Sequence, residues 1–190
     1  MTFTKSLRTV FLSAALIAVV SCGCAQAMAA DTPPRTGWME QFTLNAPPPP
    51  VPDTPFTDAD GRAAKLADFQ GRLTLVNFWA TWCAPCVREL PSLDRLQTAF
   101  DDTKFRVVAI NEDRGGAAVA KPFLAKLGLT RIALYIDKRL ALAQALGLRG
   151  MPTSYLIDPS GRVIGALTGP AEWDAPEAKA LIGYYLNRKK

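Results

Sequence analysis

The sequence predicts an α/β domain with a mixed central sheet, flanking helices and a C-terminal β-hairpin followed by a helix. Two apolar runs rich in β-branched residues, 73–79 and 105–110, each precede a stretch in which apolar residues recur at helical spacing. Two further apolar runs, 153–157 and 162–167, flank an Asp-Pro-Ser-Gly turn, which is typical of a hairpin. Strand–helix–strand units followed by a hairpin indicate a sheet that is mixed rather than purely parallel.

The remaining elements follow from apolar spacing and from turn residues. A helix is expected from the Cys83 region towards Phe100, and a last helix is expected from Asp174, with Glu177 completing a capping box. Between them, the spacing predicts a helix at 117–127, a strand at 132–136 and a short helix at 140–146.

Composition is typical of a globular protein with one packed domain. The 190 residues are 49% hydrophobic and 21% charged. The formal charge of +5 comes from scattered lysines and arginines, and the tight basic cluster at 188–190 lies at the chain end, so a nucleic-acid partner is not favoured. The sequence has no histidine, so thiols, carboxylates, hydroxyls or amines must carry any chemistry.

Residues 1–29 have the pattern of an export signal or an N-terminal anchor. Lys5 and Arg8 precede an apolar core at 10–20, and small residues that fit a cleavage site follow it. The core is short for a spanning helix, which needs about 20 residues, although the small residues could extend it into an uncleaved anchor. A segment ending at Cys22 resembles a lipoprotein box, which makes lipidation a third alternative. All three place the rest of the chain in the periplasm, either free or tethered to the inner membrane.

Residues 30–55 have the composition of a Pro-rich linker. They hold eight of the fifteen prolines, including four in a row at 47–50. Such a segment favours the extended polyproline II conformation, at roughly 3 Å per residue. We therefore expect a spacer here, with the folded domain at 56–190.

Cys83 and Cys86 lie where the predicted strand at 73–79 gives way to a helix. Two cysteines three apart at a helix start can close a disulfide within one turn, and the first lies where unpaired amides and the helix dipole stabilise an anion. That setting favours the thiolate, the species that attacks a disulfide. Cys86, one turn deeper, can then resolve the mixed disulfide. We expect an exposed, reactive Cys83 in a catalytic redox pair.

Three alternative roles for the cysteine pair stay open. A structural disulfide would close a very small loop and so would stabilise the fold only weakly. Half of a zinc site would lack ligands, because Cys22 and Cys24 fall in the export segment and there is no histidine. Accidental spacing, with no role at all, fits poorly with the strand–turn–helix context.

Several motifs together make the sequence recognisable. They are Leu-Val-Asn-Phe-Trp-Ala-Thr-Trp-Cys-Ala-Pro-Cys at 75–86, Glu-Leu-Pro at 89–91, Gly-Met-Pro-Thr at 150–153 and Ser-Tyr-Leu-Ile-Asp at 154–158 with Gly161. With these motifs the chain resembles the TlpA/ResA-like branch of the thioredoxin superfamily over about residues 55–186. The resemblance implies a thioredoxin-like fold and thiol–disulfide oxidoreductase activity. The branch includes exported proteins that act in cytochrome c maturation and copper-centre assembly.

The resemblance also implies a substrate-binding surface beside the cysteines. Pro152 is expected to be a cis-proline that faces them and receives an extended client segment, with Trp82 and Met151 lining the same groove. An ordinary proline at a strand start and plain core packing of Met151 are the alternatives.

Two polar positions qualify the comparison with ordinary thioredoxins. Asn77 should point inward, at the place where thioredoxins proper have a buried aspartate, and an amide cannot accept that proton. Glu89 matches an acidic residue of the TlpA/ResA-like branch, and we expect it to tune or shuttle protons for the cysteine pair. A solvated Glu89 that pairs with Arg88 or with nearby lysines is the alternative.

The direction of the reaction follows from what separates the cysteines. Ala84 and Pro85 include no histidine of the kind that strong oxidants use to hold the thiolate, which favours a thioredoxin-like potential of about −270 mV and a reductase. A reductase in an oxidising compartment needs continual reduction, and the resemblance implies a membrane thiol-reductant donor beside the client proteins. We expect no cofactor and no metal.

Other function classes are disfavoured on specific residues. A copper-binding protein could use Cys83, Cys86 and Met151 as soft ligands. A peroxidase on this fold wants Thr or Ser three residues before the reactive cysteine, where this chain has Ala80. A non-catalytic adaptor would not need the intact cysteine pair.

Overall fold

A computed structural model describes residues 1–2 and 32–188 of the chain. The chain divides into two units, 1–32 and 33–190, and the second unit holds every element described below. The predicted signal, anchor and lipidation site at Cys22 lie outside the described residues. In the part that the model describes, no helix has both the length and the apolar character needed to cross a membrane.

The described residues form eight strands, four α-helices and two short 3₁₀ helices, at 37–41 and 66–69. The strands are β1 Thr43–Leu44, β2 Phe56–Asp58, β3 Ala63–Ala64, β4 Leu73–Trp79, β5 Phe105–Asn111, β6 Ala133–Ile136, β7 Thr153–Ile157 and β8 Val163–Thr168. The α-helices are α1 Ala84–Ala99, α2 Ala117–Lys126, α3 Ala141–Ala145 and α4 Pro176–Asn187.

All eight strands belong to one mixed sheet, in the order β1-β8-β7-β4-β5-β6-β2-β3. β4, β5 and β6 are parallel, whereas β7 runs antiparallel to β4 and forms the predicted hairpin with β8. The register pairs Trp79 with Asn111. The carboxyl ends of β4 and β5 therefore meet at one edge of the sheet, where loops of α/β proteins commonly build their sites.

Both faces of the central strands are buried, which explains why their sequences are continuously apolar. Leu75 and Trp79 of β4 pack in a core cluster with α1, α2 and α4. Val76 and Phe78 pack in a second cluster with α3 and the 66–69 helix. Because side chains alternate along a strand, Asn77 lies on the α1 face, as predicted, and is buried there.

The segment at 32–55 differs from the expected spacer. Met39 and Phe42 are fully buried in the core, and residues 43–51 run along β8. The Asn45 amide donates to Ile164 O at 2.8 Å, and similar bonds continue as far as residue 51. Prolines fit this position because an edge strand does not need every backbone N–H for the sheet. The folded unit thus begins near residue 33 rather than 56.

The predicted start of the last helix is also wrong. α4 begins at Pro176, and its N-cap residue, Ala175, makes no side-chain capping hydrogen bond. Asp174 instead binds Arg95 at 2.6 Å, and Glu177 accepts a 3.4 Å hydrogen bond from the Trp38 amide. Proline is well suited to the first helical position, since its missing N–H would be unpaired there in any case.

Candidate active site

The predicted cysteine pair lies at the junction of β4 and α1, which residues 80–83 connect. Cys83 is the N-cap of α1, with extended backbone (φ −87°, ψ 93°), and its Sγ accepts a 3.4 Å hydrogen bond from the Cys86 amide. The sulfur of Cys83 therefore lies at the positive end of the helix dipole. This position favours a thiolate at Cys83 over one at Cys86, which is a full turn deeper.

Cys83 and Cys86 form a disulfide, with their Cα atoms 5.3 Å apart. Cys83 is only 6% exposed and Cys86 is 1% exposed. The expectation of an exposed Cys83 is wrong for this oxidised form, because its sulfur is bonded to Cys86 and turned towards the helix amides. Cys83 nevertheless lines an open cleft, and Cys86 does not.

Four segments of the fold line the cleft beside Cys83. They are residues 82–85, residues 112–115 after β5, residues 138–144 around the start of α3, and a segment before β7 that includes Leu148, Gly150 and Met151. Trp82 stands at its edge and is 68% exposed. The structure thus brings Trp82 and Met151 together with Cys83.

Pro152 directly follows Met151, which lines this cleft. The Met151–Pro152 peptide bond is cis, as the family resemblance implies. Pro152 precedes β7, whose first residue, Thr153, pairs with Phe78 near the end of β4. Pro152 therefore lies at the edge of the sheet where β4 ends, and residues 80–83 lead from that edge to Cys83. Pro152 itself is buried, and Met151 is the neighbour that reaches the cleft.

Glu89 lies on the inner face of α1 and is 2% exposed, so the alternative of a solvated carboxylate is wrong. Its Oε1 accepts hydrogen bonds from Trp173 Nε1 at 2.5 Å and from the Ala171 amide at 3.2 Å. Its Oε2 accepts a hydrogen bond from Asn77 Nδ2 at 3.1 Å. Burial raises the pKa of Glu89 to about 7, and the three donors oppose that rise. Among the described residues, no hydrogen bond joins this carboxylate to either sulfur.

Asn77 connects Glu89 to β7, the strand that follows Pro152. Its Nδ2 also donates to Ser154 Oγ at 3.0 Å, whereas its buried Oδ1 has no hydrogen-bond partner in the part of the chain that is described. Because the Asn77 amide donates to Glu89, it favours the ionised carboxylate, which is the better acceptor. Sequence patterns predicted that Asn77 points inward, but they did not predict its partners.

Two acidic residues after β5 were missed by the sequence analysis. Asp113 accepts hydrogen bonds from the Thr81 amide at 2.9 Å, the Thr81 hydroxyl at 3.0 Å and Asn111 Nδ2 at 2.7 Å, which fastens the loop leading to Cys83. Glu112 lines the cleft and is 5% exposed, and neither of its carboxylate oxygens has a hydrogen-bond partner among residues 32–188. Burial, with a contribution from Asp137, raises the pKa of Glu112 to about 8. An acidic pair directly after a strand that parallels the cysteine-bearing strand was the signal that could have found them.

The described residues offer no group of three or more Cys, Asp or Glu side chains arranged to hold a metal ion. Cys83 and Met151 share the cleft, so these are the soft donors that a copper ion could reach, while Cys86 is almost fully covered.

Comparison with known proteins agrees with this geometry. A model of the Redoxin family matches residues 47–182. The thiol–disulfide oxidoreductase ResA of Geobacillus thermodenitrificans is 35% identical over 119 residues, which are 63% of this chain and 67% of that protein. A candidate thiol:disulfide interchange protein DsbE from Chlorobium tepidum is 30% identical, with a TM-score of 0.66 over 74% of this chain and 97% of that one. StoA from Bacillus subtilis, at 23% identity and a TM-score of 0.57, covers 71% of this chain and 98% of its own. These structures confirm the predicted thioredoxin-like fold.

Proposed function

Because this chain belongs to the Redoxin family and is a thiol–disulfide oxidoreductase with disulfide reductase activity, we propose that it reduces disulfides of extracytoplasmic client proteins. Apocytochrome c and copper-site apoproteins are the client types that the sequence resemblance suggests. The observation that carries the proposal is the asymmetry of the pair: Cys83 caps α1 and lines a cleft, whereas Cys86 is buried one turn deeper.

The asymmetry assigns a different step to each sulfur. In the reduced protein, the Cys83 thiolate attacks a client disulfide, a Cys83–client disulfide forms, and the other client sulfur leaves as a thiolate. Cys86 then loses its proton and attacks Cys83 Sγ, which releases the second client sulfur. Two electrons pass to the client, and the Cys83–Cys86 disulfide remains.

The walls of the cleft fit an extended client segment. Trp82 offers a large exposed apolar face on one side of Cys83, and Met151 lies on the same cleft, next to Pro152. In our proposal Met151 contacts the client backbone while its cysteine reaches Cys83 Sγ, and the cis bond to the buried Pro152 holds Met151 in position. Trp82 covers the side chains beside that cysteine.

Glu89 is proposed to adjust the proton balance of the buried cysteine. Asn77 cannot accept a proton, so the carboxylate of Glu89, with its pKa near 7, is the titrating group on the inner face of α1. Its charge opposes a thiolate at the nearby pair and therefore makes exchange depend on pH.

Export and resupply of electrons complete the proposal. Lys5, Arg8 and the apolar run at 10–20 support export to the periplasm, with an inner-membrane or lipid anchor as tethered forms. A dithiol reductase in that compartment requires a membrane donor of thiol reducing power. A measured reduction potential above roughly −150 mV would contradict the reductase direction, because the pair would then oxidise its clients.

Trapping of clients with Cys86→Ala tests the assignment. This variant keeps Cys83 but cannot resolve the mixed disulfide, so we expect covalent client adducts that dithiothreitol releases. The matched control is Cys83→Ala, which keeps the buried Cys86 and should trap nothing. Equal trapping by the two variants, or none by Cys86→Ala, would contradict the roles proposed here.

Copper handling is the second candidate, and it is favoured only by Met151 lying in the cleft with Cys83. Stoichiometric Cu(I) binding that survives Cys83→Ala but not Met151→Ala would favour it. Failure of the reduced wild-type protein to bind Cu(I) stoichiometrically would leave dithiol exchange as the role of the pair.

A further inference from the structure

Three cationic side chains surround the cleft that Cys83 lines. Arg114 comes from the loop after β5, and Lys138 and Arg139 come from the loop between β6 and α3. All three are exposed, and within residues 32–188 none of them has an ion pair or a side-chain hydrogen bond. Exposed cations such as Arg62 and Lys121, in contrast, have carboxylate partners at 2.7 Å.

The acidic groups of the same region are buried, and among the described residues they form no ion pair with these cations. Asp113 is occupied with Thr81 and Asn111, and the carboxylate of Asp137 accepts the amides of residues 141–143. Glu112 is buried, and its raised pKa of about 8 favours the neutral carboxyl at neutral pH. Hydrogen bonds to neutral groups do not cancel the charge of a carboxylate, but Asp113 and Asp137 are buried whereas the three cations are exposed, so the charge at the solvent-facing rim of the cleft is positive.

Exposed apolar groups lie beside the cations. Trp82 is 68% exposed and Leu140 is 43% exposed. Leu140 has a left-handed backbone, with φ of 59°, a conformation that a leucine rarely adopts, and its amide is held by Asp137 O at 2.8 Å. The 138–140 loop thus displays two cations and one apolar side chain at the cleft, in a backbone conformation that is unfavourable for leucine.

We propose that the cleft selects client segments that are extended and acidic, with Asp or Glu near the reacting cysteine and an apolar residue beside it. Arg114, on one wall, and Lys138 and Arg139, on another, pair with the client carboxylates. Trp82 and Leu140 cover the apolar residue. This inference names the client class for the reductase and rests on the proposed function.

Charge complementarity of this kind acts mainly on the rate of encounter. A rim of unpaired cations raises the local concentration of an acidic segment, and salt screens that attraction. The inference therefore predicts a preference among clients that is large at low ionic strength and small at high ionic strength. The exchange chemistry at Cys83 stays the same for every client.

Three synthetic peptides with an intramolecular disulfide test the inference. They are identical except that two glutamates, two glutamines or two lysines flank one cysteine. The full chain is pre-reduced, and stopped-flow Trp fluorescence gives the second-order rate constant for each peptide. We expect the glutamate peptide to react about tenfold faster than the glutamine peptide at low salt, and the lysine peptide to be the slowest. High salt should bring the three rates together.

Charge reversal locates the effect. The double variant Lys138→Glu with Arg139→Glu should invert the order of the peptides, and Arg114→Glu, on the other wall, should weaken the preference if the double variant fails to fold. The matched control is Lys126→Glu, an exposed cation at the end of α2 that does not line the cleft, and it should keep the wild-type order.

The outcomes separate this inference from the function on which it rests. Equal rates for the three peptides, or an unchanged order in both rim variants, would overturn the acidic-client inference while leaving the reductase intact. Failure of the reduced protein to react with any peptide, and with the small uncharged reagent dithiodipyridine, would instead overturn the proposed function.

Discussion

Glu89 and Glu112 are two glutamates of the active-site region with different surroundings. Glu89 lies on the inner face of α1, and Glu112 follows β5. Both are almost fully buried, at 2% and 5% exposure. Glu89 accepts hydrogen bonds from Trp173, Ala171 and Asn77, whereas the carboxylate of Glu112 has no hydrogen-bond partner among the described residues. Burial raises both pKa values, to about 7 for Glu89 and about 8 for Glu112.

The difference shows that hydrogen-bond donors, and not depth alone, decide the pH at which a buried carboxyl ionises. The donors around Glu89 stabilise its ionised form, so it can titrate near neutral pH while holding three elements together. Glu112 has no such compensation, and it is expected to stay protonated near neutral pH at a cost to stability. One residue is thus a structural centre that can also change charge, and the other is an unpaired group in the wall of the cleft.

The largest effect should come from Glu89→Ala. The substitution leaves three buried donors without an acceptor, at about 1 kcal/mol or more each, so the free energy of unfolding should fall by at least about 3 kcal/mol. Urea unfolding of the oxidised protein at pH 7 measures this loss. The matched control is Glu172→Ala, a half-exposed acid next to Trp173, which should change stability by about 0.5 kcal/mol or less. Equal losses in the two variants would show that the hydrogen bonds to Glu89 contribute no more to stability than a half-exposed side chain does.

That network also marks the limit of prediction from sequence. β4 was predicted at its observed bounds, and the other central elements within about two residues, because continuous apolar runs and helical spacing are local signals. Trp173 and Ala171 could not be linked to Glu89, since more than 80 residues separate them along the chain. Such contacts arise only when α1 and the segment before α4 pack together.

The prediction of a spacer for the Pro-rich segment was wrong for a related reason. Its composition favours an extended chain, and residues 43–51 are extended, but composition reveals neither the 3₁₀ helix at 37–41 nor that β8 offers an edge more than 110 residues away. The unpaired state of Glu112 was equally hidden. A sequence shows an acidic residue after a strand, but it does not show whether donors will surround it.

A smaller effect is expected from Glu89→Gln, which separates charge from structure. The new amide can still accept from Trp173 and Ala171, and a rotated Asn77 can offer its unpaired Oδ1 to the new N–H. The fold should therefore survive, while the charge that appears near pH 7 is lost. Alkylation of the reduced cysteines, followed from pH 5 to 9, should become severalfold faster at and above pH 7 and lose an inflection near that pH. An unchanged pH profile would end the proposal that Glu89 adjusts the pair.

The smallest effect, and one of opposite sign, is expected from Glu112→Gln. Between the ordinary pKa of 4.5 and the folded value of about 8, the folded protein holds a proton that the unfolded chain has released. Stability therefore falls as pH rises through this window, and the penalty is absent below it. Glutamine does not ionise, so the variant should match the wild type at pH 4 and exceed its stability by pH 8. The gain should be no more than about 1 kcal/mol, because water in the open cleft weakens the penalty. Thermal unfolding at pH 4, 6 and 8, with Glu172→Gln as the control, measures it, and a variant that is less stable than the wild type at pH 8 would mean that Glu112 is an ionised, partnered group like Glu89.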